Sequence, residues 1–114
     1  MEANCLFCKI FNGDIPAQKI FESKNVIGFV DIYPQAKQHL IFIHKKHTLN
    51  ISEMSLDPHT ISEVYAAIAD YVKDSELSKN GYRVVTNQGK DAGQSVFHTH
   101  FHVLGGEGLG HFGH

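Results

Sequence analysis

An amphipathic helix beginning near Pro58 is the element that most limits how this chain can fold. Asp57 suits the N-cap, and proline suits the first helical position because the N–H it lacks would have no partner there. Apolar residues then follow the i, i+3, i+4, i+7 spacing of one helix face: Ile61, Val64, Tyr65, Ile68, Ala69 and Val72. The apolar pattern fades by Ser75.

Strand patterns stand on both sides of this helix. They cover Gln18–Glu22, Val26–Asp31 and His39–His44 before it, and Tyr82–Asn87 and Ser95–Leu104 after it. Near the start, four apolar residues recur at helical spacing ahead of Asn12-Gly13: Leu6, Phe7, Ile10 and Phe11. We therefore predict a single α+β domain over residues 1–114, with an antiparallel sheet of about five strands, one long helix and a short N-terminal helix.

Composition excludes several classes of protein. Hydrophobic residues make up 42% of the chain and charged residues 19%, as in folded globular proteins. The net charge of −2 and the absence of long Lys/Arg runs argue against a nucleic-acid partner. No stretch approaches the ~20 apolar residues of a membrane span, and the first residues do not resemble a secretory signal. A cytoplasmic enzyme is the expectation.

Three of the nine histidines, His98, His100 and His102, fall within a five-residue segment. On a strand they would share one face at intervals of about 7 Å, while Thr99 and Phe101 would point toward the core. Packing alone explains such a row poorly, because buried imidazoles lose hydration and need partners. The three could bind one metal ion, or one could be a nucleophile that the others orient and supply with protons.

The neighbouring residues favour the nucleophile. Gly93, Gln94 and Ser95 offer backbone N–H groups and short polar side chains, and Asn87 adds an amide. Such donors suit a phosphoryl group that gains negative charge in the transition state. Imidazole is largely unprotonated at neutral pH and can attack phosphorus.

The segment from His98 to Leu104 resembles the His-x-His-x-His-x-x signature of the histidine triad family. Further matches to its purine nucleoside phosphoramidase branch extend over nearly the whole chain: Phe7, Lys9–Ile10, Ile15–Ala17, Asp31–Ile32, Pro34–Ala36, Lys45–His47, Gly81–Arg83 and Gly93–Val96. The resemblance implies hydrolysis of purine nucleoside phosphoramidates, or of related nucleotidyl conjugates. Cleavage of dinucleoside polyphosphates, and nucleotide-binding regulation with incidental turnover, remain alternatives.

The resemblance also implies roles for individual residues. His100 would attack the α-phosphorus to form a transient nucleotidyl-histidine, His102 would contact the phosphate, His39 would support the triad, and Ser95 would bind the ester or leaving-group side. Asp31 would bind the ribose hydroxyls. The remaining contacts would be Asn87, Gly93 and Gln94 to phosphate, and Leu6, Phe7, Ile10, Ile15, Phe29 and Ile32 to the base.

Cys5 and Cys8 have the C-x₂-C spacing of half a zinc site, which needs two more ligands. They could instead form a redox pair or be two buried thiols. The resemblance implies structural zinc held with His47 and His98. Such a site has no open position, so zinc would not be the catalyst.

The C-terminal segment departs from close phosphoramidase relatives. Glu107 stands where they usually carry arginine, and the tail lacks their tryptophan. Since this segment helps select the leaving group in the family, the leaving-group preference stays open. The resemblance also implies a homodimer. Four histidines lack any motif and are predicted on the surface or in loops: His44, His59, His111 and His114.

Overall fold

Five antiparallel strands form the sheet of the computed structural model, which describes residues 4–111. The strands are β1 (Lys19–Glu22), β2 (Val26–Val30), β3 (Gln38–His44), β4 (Tyr82–Val85) and β5 (His100–Gly105), and they lie in the order β1-β2-β3-β5-β4. The helices are α1 (Leu6–Phe11), α2 (Ile51–Met54), α3 (Pro58–Val72) and α4 (Glu76–Asn80). The predicted α+β class is confirmed. His114 lies outside the described residues.

The long helix α3 covers one face of the sheet. Val64, Ile68 and Val72 are buried there against Phe42 of β3 and Phe101 of β5. Burial of this helix face against the sheet supplies most of the helix's stability. Two members of the predicted apolar stripe, Tyr65 and Ala69, are instead exposed. Each directly follows a buried residue, at positions 64 and 68, and is therefore rotated by about 100° away from the helix face that packs on the sheet. Asp57 occupies the N-cap, but its side chain makes no capping bond.

The short helix α1 covers only part of the opposite face. Its buried residues pack on the alternate side chains of β2 and β3 in a second cluster that contains Phe7, Cys8, Ile10, Ile27, Phe29, Ile41 and Ile43. Strand alternation places His100 opposite Ile43 and His102 opposite Ile41 on this same face. The half of the face formed by β5 and β4 is therefore left for a site.

The last strand is shorter than predicted. We expected it over Ser95–Leu104, yet it begins at His100. The Thr99 N–H donates to the Thr48 carbonyl (2.8 Å), so the segment before His100 is held by a loop rather than by the sheet. His98 therefore lies outside the strand, although its ring, like that of His100, is on the side of the sheet that α1 covers, where both rings contact Phe7.

The helices α2 and α4 were not predicted, although both carry capping residues. The Asn50 carboxamide oxygen accepts from the Glu53 N–H (3.0 Å), and the Ser75 hydroxyl accepts from the Leu77 N–H (3.2 Å). Both helices are too short to show the repeated apolar spacing by which a helix is recognised in a sequence. Within residues 4–111, no helix has the length and apolar character needed to cross a bilayer.

Candidate active site and metal centre

His100 is held in one tautomer by a backbone carbonyl. Its Nδ1 lies 2.8 Å from the carbonyl oxygen of His98, which can only accept, so Nδ1 carries the proton and Nε2 keeps its lone pair. Burial lowers the pKa of His100, which outweighs the opposing effects of this hydrogen bond and of Asp31. The Phe7 ring packs edge-on at 4.9 Å between centroids. His100 is therefore a neutral imidazole with an available Nε2.

His39 and His102 form a chain of hydrogen bonds beside it. The Gln35 N–H donates to His39 Nδ1 (3.0 Å), which places the His39 proton on Nε2. That Nε2 lies 2.8 Å from His102 Nδ1, so His102 accepts there and carries its own proton on Nε2. Burial, with the nearby His100 and His39, lowers the pKa of His102 to about 4. His102 is thus a neutral ring that presents an N–H, next to a ring that presents a lone pair.

Asp31 supplies the negative charge at this end of the site. Its Oδ1 accepts from the Tyr33 N–H (2.8 Å), and its Oδ2 lies 3.3 Å from His39 Nε2. The next residue, Ile32, is 79% exposed. A carboxylate oriented by a turn at the rim of a cleft can accept from a pair of ligand hydroxyls.

The residues predicted to contact the base are placed unequally. Phe7, Ile10 and Phe29 are buried together, and the Phe7 and Phe29 rings meet edge-on at 5.6 Å. Ile15 is half-buried beside them, whereas Leu6 and Ile32 are exposed. The buried aromatic pair adjoins His100, because the Phe7 ring packs on it.

Gly93 and Gln94, which are predicted to contact phosphate, lie in the loop before β5. The Gln94 amide donates to the carbonyls of Leu49 (2.7 Å) and Val96 (3.2 Å), and its backbone N–H donates to the Gly89 carbonyl. Gly93 adopts the left-handed conformation, with φ 82°, that favours glycine. Gln94 therefore shapes this loop through bonds that occupy its own donors.

Two cavities flank the site. One, of about 420 Å³, is lined by His39 and His102 together with Gln35, Arg83, Val85, Asn87, Leu104, Glu107, Gly108 and Leu109. The other, of about 700 Å³, includes Ser95 with Cys5, His47 and Phe97. Asn87 and His102 thus line the same cavity, whereas Ser95 lines the cavity beside the cysteines.

Cys5, Cys8, His47 and His98 converge into one cluster that could hold a metal ion. His98 Nδ1 lies 3.3 Å from Cys5 Sγ, 3.5 Å from Cys8 Sγ and 3.2 Å from His47 Nδ1. A tetrahedral zinc with bonds of about 2.1 Å to nitrogen and 2.3 Å to sulfur requires ligand separations of roughly 3.4–3.8 Å, so this donor set fits with small adjustments. The His98 Nε2–H donates to the His44 carbonyl (2.8 Å), which leaves its Nδ1 lone pair for the ion.

Asp31, His39 and His102 form a second group of potential ligands. This group differs from the cysteine-containing cluster in where its protons lie, because the Gln35 N–H donates to Nδ1 of His39. The neutral His39 ring then has a hydrogen, not a lone pair, on the nitrogen that faces the group. The arrangement is suited to orienting protons rather than to binding a metal.

His44 was predicted on the surface or in a loop, and this is wrong. It is buried, and its Nε2–H donates to Glu63 of α3 (3.0 Å). His44 is five positions after His39, an odd number, so strand alternation turns the two side chains to opposite faces of the sheet. This odd spacing could have indicated from the sequence that His44 faces the side of the sheet opposite His39. The spacing could not have identified Glu63 as the partner of His44. His59 and His111 are exposed, as predicted.

Comparison with known proteins agrees with this geometry. The HIT domain model matches residues 12–109. An uncharacterized HIT-like protein of Rickettsia prowazekii is 40% identical over 108 residues, which cover 91% of this chain and 88% of that protein. Since the family model spans most of the chain, the chain belongs to the histidine triad (HIT) family. Cys5 and Cys8 lie ahead of the matched residues.

Solved structures show the same fold. A HIT family hydrolase from Clostridium thermocellum superposes with a TM-score of 0.92 and 36% identity, covering 97% of both chains. A histidine triad nucleotide-binding protein from Candida albicans has a TM-score of 0.80 and 33% identity, covering 88% of this chain and 73% of that one.

Proposed function

We propose that this protein hydrolyses purine nucleoside 5′-phosphoramidates, or related nucleotidyl conjugates, at the α-phosphorus through a covalent nucleotidyl-His100 intermediate. The observation that carries the proposal is the tautomer pair: His100 has its Nε2 lone pair available, and His102 beside it carries a proton on Nε2. Similarity to a HIT family hydrolase and to a histidine triad nucleotide-binding protein supports the same chemistry.

The two rings divide the reaction. His100 Nε2 forms a bond to phosphorus as the bond from phosphorus to the amine breaks, and the His102 Nε2–H moves to the departing amine. The negative charge left on the His102 ring is offset by the positive charge of the nucleotidyl-His100 ring, whose Nδ1 keeps its proton, and by the N–H that His39 directs at His102. Water then attacks the phosphorus of the nucleotidyl-His100, and His102 accepts a proton from it. The nucleoside monophosphate leaves, and both rings return to their starting states.

The remaining predicted residues would bind and orient the nucleotide. Asp31 would accept from the ribose hydroxyls, and His39 would hold His102 in its proton-donating tautomer. The base would contact Phe7, Ile10, Phe29 and Ile32, and the phosphate would contact Asn87, Gly93 and Ser95. Gln94 would contribute to phosphate binding indirectly, by holding the loop in shape, because its own donors are occupied.

The metal of the four-ligand cluster is proposed to be zinc, because two thiolates and two imidazoles match its preferences. When bound, zinc would supply a structural cross-link between the N-terminal segment and the loops before β5 and after β3. Neither cysteine is in a disulfide, which fits the cytoplasmic location that we propose. We also propose a homodimer, since β4 is an edge strand of the sheet and can pair with a second copy.

Turnover of adenosine 5′-phosphoramidate by wild type and by His100→Ala tests the nucleophile. We expect the variant to fall to background while it still binds AMP, and we expect mass spectrometry of acid-quenched wild type to find an adenylyl group on His100. His59→Ala is the matched control, because it removes an exposed histidine. Turnover retained in His100→Ala would exclude this nucleophile. A wild type that cleaves only diadenosine polyphosphate would transfer the mechanism to a different leaving group.

A further inference from the structure

One peptide group joins the metal-ligand cluster to the proposed nucleophile. The side chain of His98 enters the cluster, whereas its carbonyl oxygen accepts the hydrogen bond from His100 Nδ1 (2.8 Å). The N–H of the same peptide belongs to Thr99 and donates to the Thr48 carbonyl (2.8 Å). The orientation of this peptide therefore determines the orientation and the tautomer of the His100 ring.

Both ligand-bearing loops converge on that peptide. Thr48 directly follows the ligand His47, Thr99 directly follows the ligand His98, and the two threonine hydroxyls lie 2.7 Å apart. The residues just before His100 lie outside the strand and lack its regular pairing. Holding His47 and His98 on one ion would therefore fix the two segments that position the peptide.

The N-terminal helix provides a second connection. Helix α1 has six residues, which is too short for stability on its own, so its position depends on its tertiary contacts. Cys5 caps this helix and Cys8 lies in its first turn. Between them, Phe7 packs its ring edge-on against His100 at 4.9 Å. Ligation of both cysteines would thus hold the aromatic ring that covers the nucleophile.

We propose that His98 is a positioning residue that couples metal occupancy at Cys5, Cys8 and His47 to the geometry of His100. The inference rests on the proposed function only in naming His100 as the nucleophile. Without an ion, only hydrogen bonds would hold the cluster: His98 Nδ1 can only accept, because its Nε2–H bonds the His44 carbonyl, and His47 Nδ1 at 3.2 Å or a cysteine thiol would donate to it. Such hydrogen bonds are weaker than metal–ligand bonds, so the 98–99 peptide and Phe7 would be held less firmly.

The test is ¹⁵N NMR of the His100 imidazole, read with kcat and KM on the same samples. Zinc-loaded wild type should give a single Nδ1-protonated tautomer. His47→Ala should lose the metal and give mixed or broadened His100 signals, with kcat lower by about tenfold and KM little changed, because the hydrogen bond to one carbonyl is weakened. His47→Cys, which supplies a thiolate in place of the imidazole, should restore the metal, the tautomer and kcat. His59→Ala should match wild type.

Replacing zinc by the larger Cd²⁺ in wild type provides a test that does not depend on the folding of a variant. It should shift the His100 signals and lower kcat. Identical His100 signals and kcat with zinc and cadmium, or an unchanged tautomer in folded, metal-free His47→Ala, would overturn the proposal, since Thr48 alone would then hold the peptide. The NMR signals do not require turnover. Failure of the phosphoramidase assay would therefore refute the proposed function and leave this coupling open to measurement.

Discussion

Replacing His39 by leucine should impair the proton donor without touching the nucleophile. His39 is 5% exposed, so leucine can fill much of its volume while removing both hydrogen bonds of the ring. The Gln35 N–H loses its acceptor at an exposed position, where water can replace it. His102 Nδ1 loses the N–H that lies 2.8 Å away and is no longer held in one tautomer and orientation.

The expected loss follows from that single hydrogen bond. A neutral hydrogen bond contributes about 1 kcal/mol, and about 1.4 kcal/mol corresponds to a factor of ten in rate. His39→Leu should therefore lower kcat on a phosphoramidate by roughly five- to tenfold, with KM little changed. Removal of the acid itself in His102→Ala should cost about 10²- to 10⁴-fold. His39→Gln should lose less than His39→Leu, because the glutamine side chain can accept from Gln35 and donate to His102.

Comparing two leaving groups separates proton donation from other effects. The amine of adenosine 5′-phosphoramidate must be protonated as it departs, whereas p-nitrophenolate in the corresponding AMP ester leaves as an anion. Steady-state kinetics should show the His39→Leu defect on the phosphoramidate and almost none on the ester. Equal slowing on both substrates, at unchanged thermal stability, would refute the argument that His39 acts through the proton of His102.

Three other perturbations test separate parts of the structure. In the pH profile of kcat/KM, activity should fall with a midpoint below pH 6.5, because protonation removes the His100 lone pair and burial lowers the pKa of His100. A midpoint above pH 6.5 would contradict this. Asp31→Ala should raise KM about tenfold for the ribonucleotide and little for its 2′-deoxy analogue, if the carboxylate binds the ribose; equal increases would count against that role. Gly105→Ala should lower the free energy of unfolding by about 1–3 kcal/mol in urea titrations, because the new Cβ would meet the buried Leu77 side chain at 2.5 Å. The control Gly108→Ala should leave the free energy of unfolding unchanged, since no atom lies within 4 Å of its Cβ position.

The sequence was informative where one periodicity persisted over a full element. The spacing from Pro58 to Val72 predicts α3, and the apolar run before His44 predicts β3, within one residue at each end. The same logic failed at the last strand, because alternation continues back to Ser95 although the sheet does not. Which backbone group pairs with which is decided by register and loop contacts, and side-chain alternation does not encode them.

The sequence indicates which residues form the site, but it does not indicate which ring nitrogen of each histidine carries the proton. His100 and His102 could be placed together from their spacing alone. Their tautomers depend on the carbonyl of His98 and, through His39, on the Gln35 N–H. The residue types do not determine these backbone groups. Loop conformation does, so the tautomers on which the proposed division between nucleophile and proton donor rests could not be derived from the sequence.

Strand β3 contributes to both clusters through a histidine near each of its ends. His39 faces the site and, being opposite Leu104 of β5, reaches His102 through its Nε2. His44 faces α3, where Glu63 binds its ring, while its carbonyl accepts from His98 Nε2 and leaves the His98 Nδ1 lone pair directed into the metal cluster. One strand thus fixes the proton of His102 through the side chain of His39, and it fixes the lone pair that His98 presents to the candidate metal cluster through the backbone carbonyl of His44. The His44 side chain, turned to the opposite face by strand alternation, packs against α3 instead.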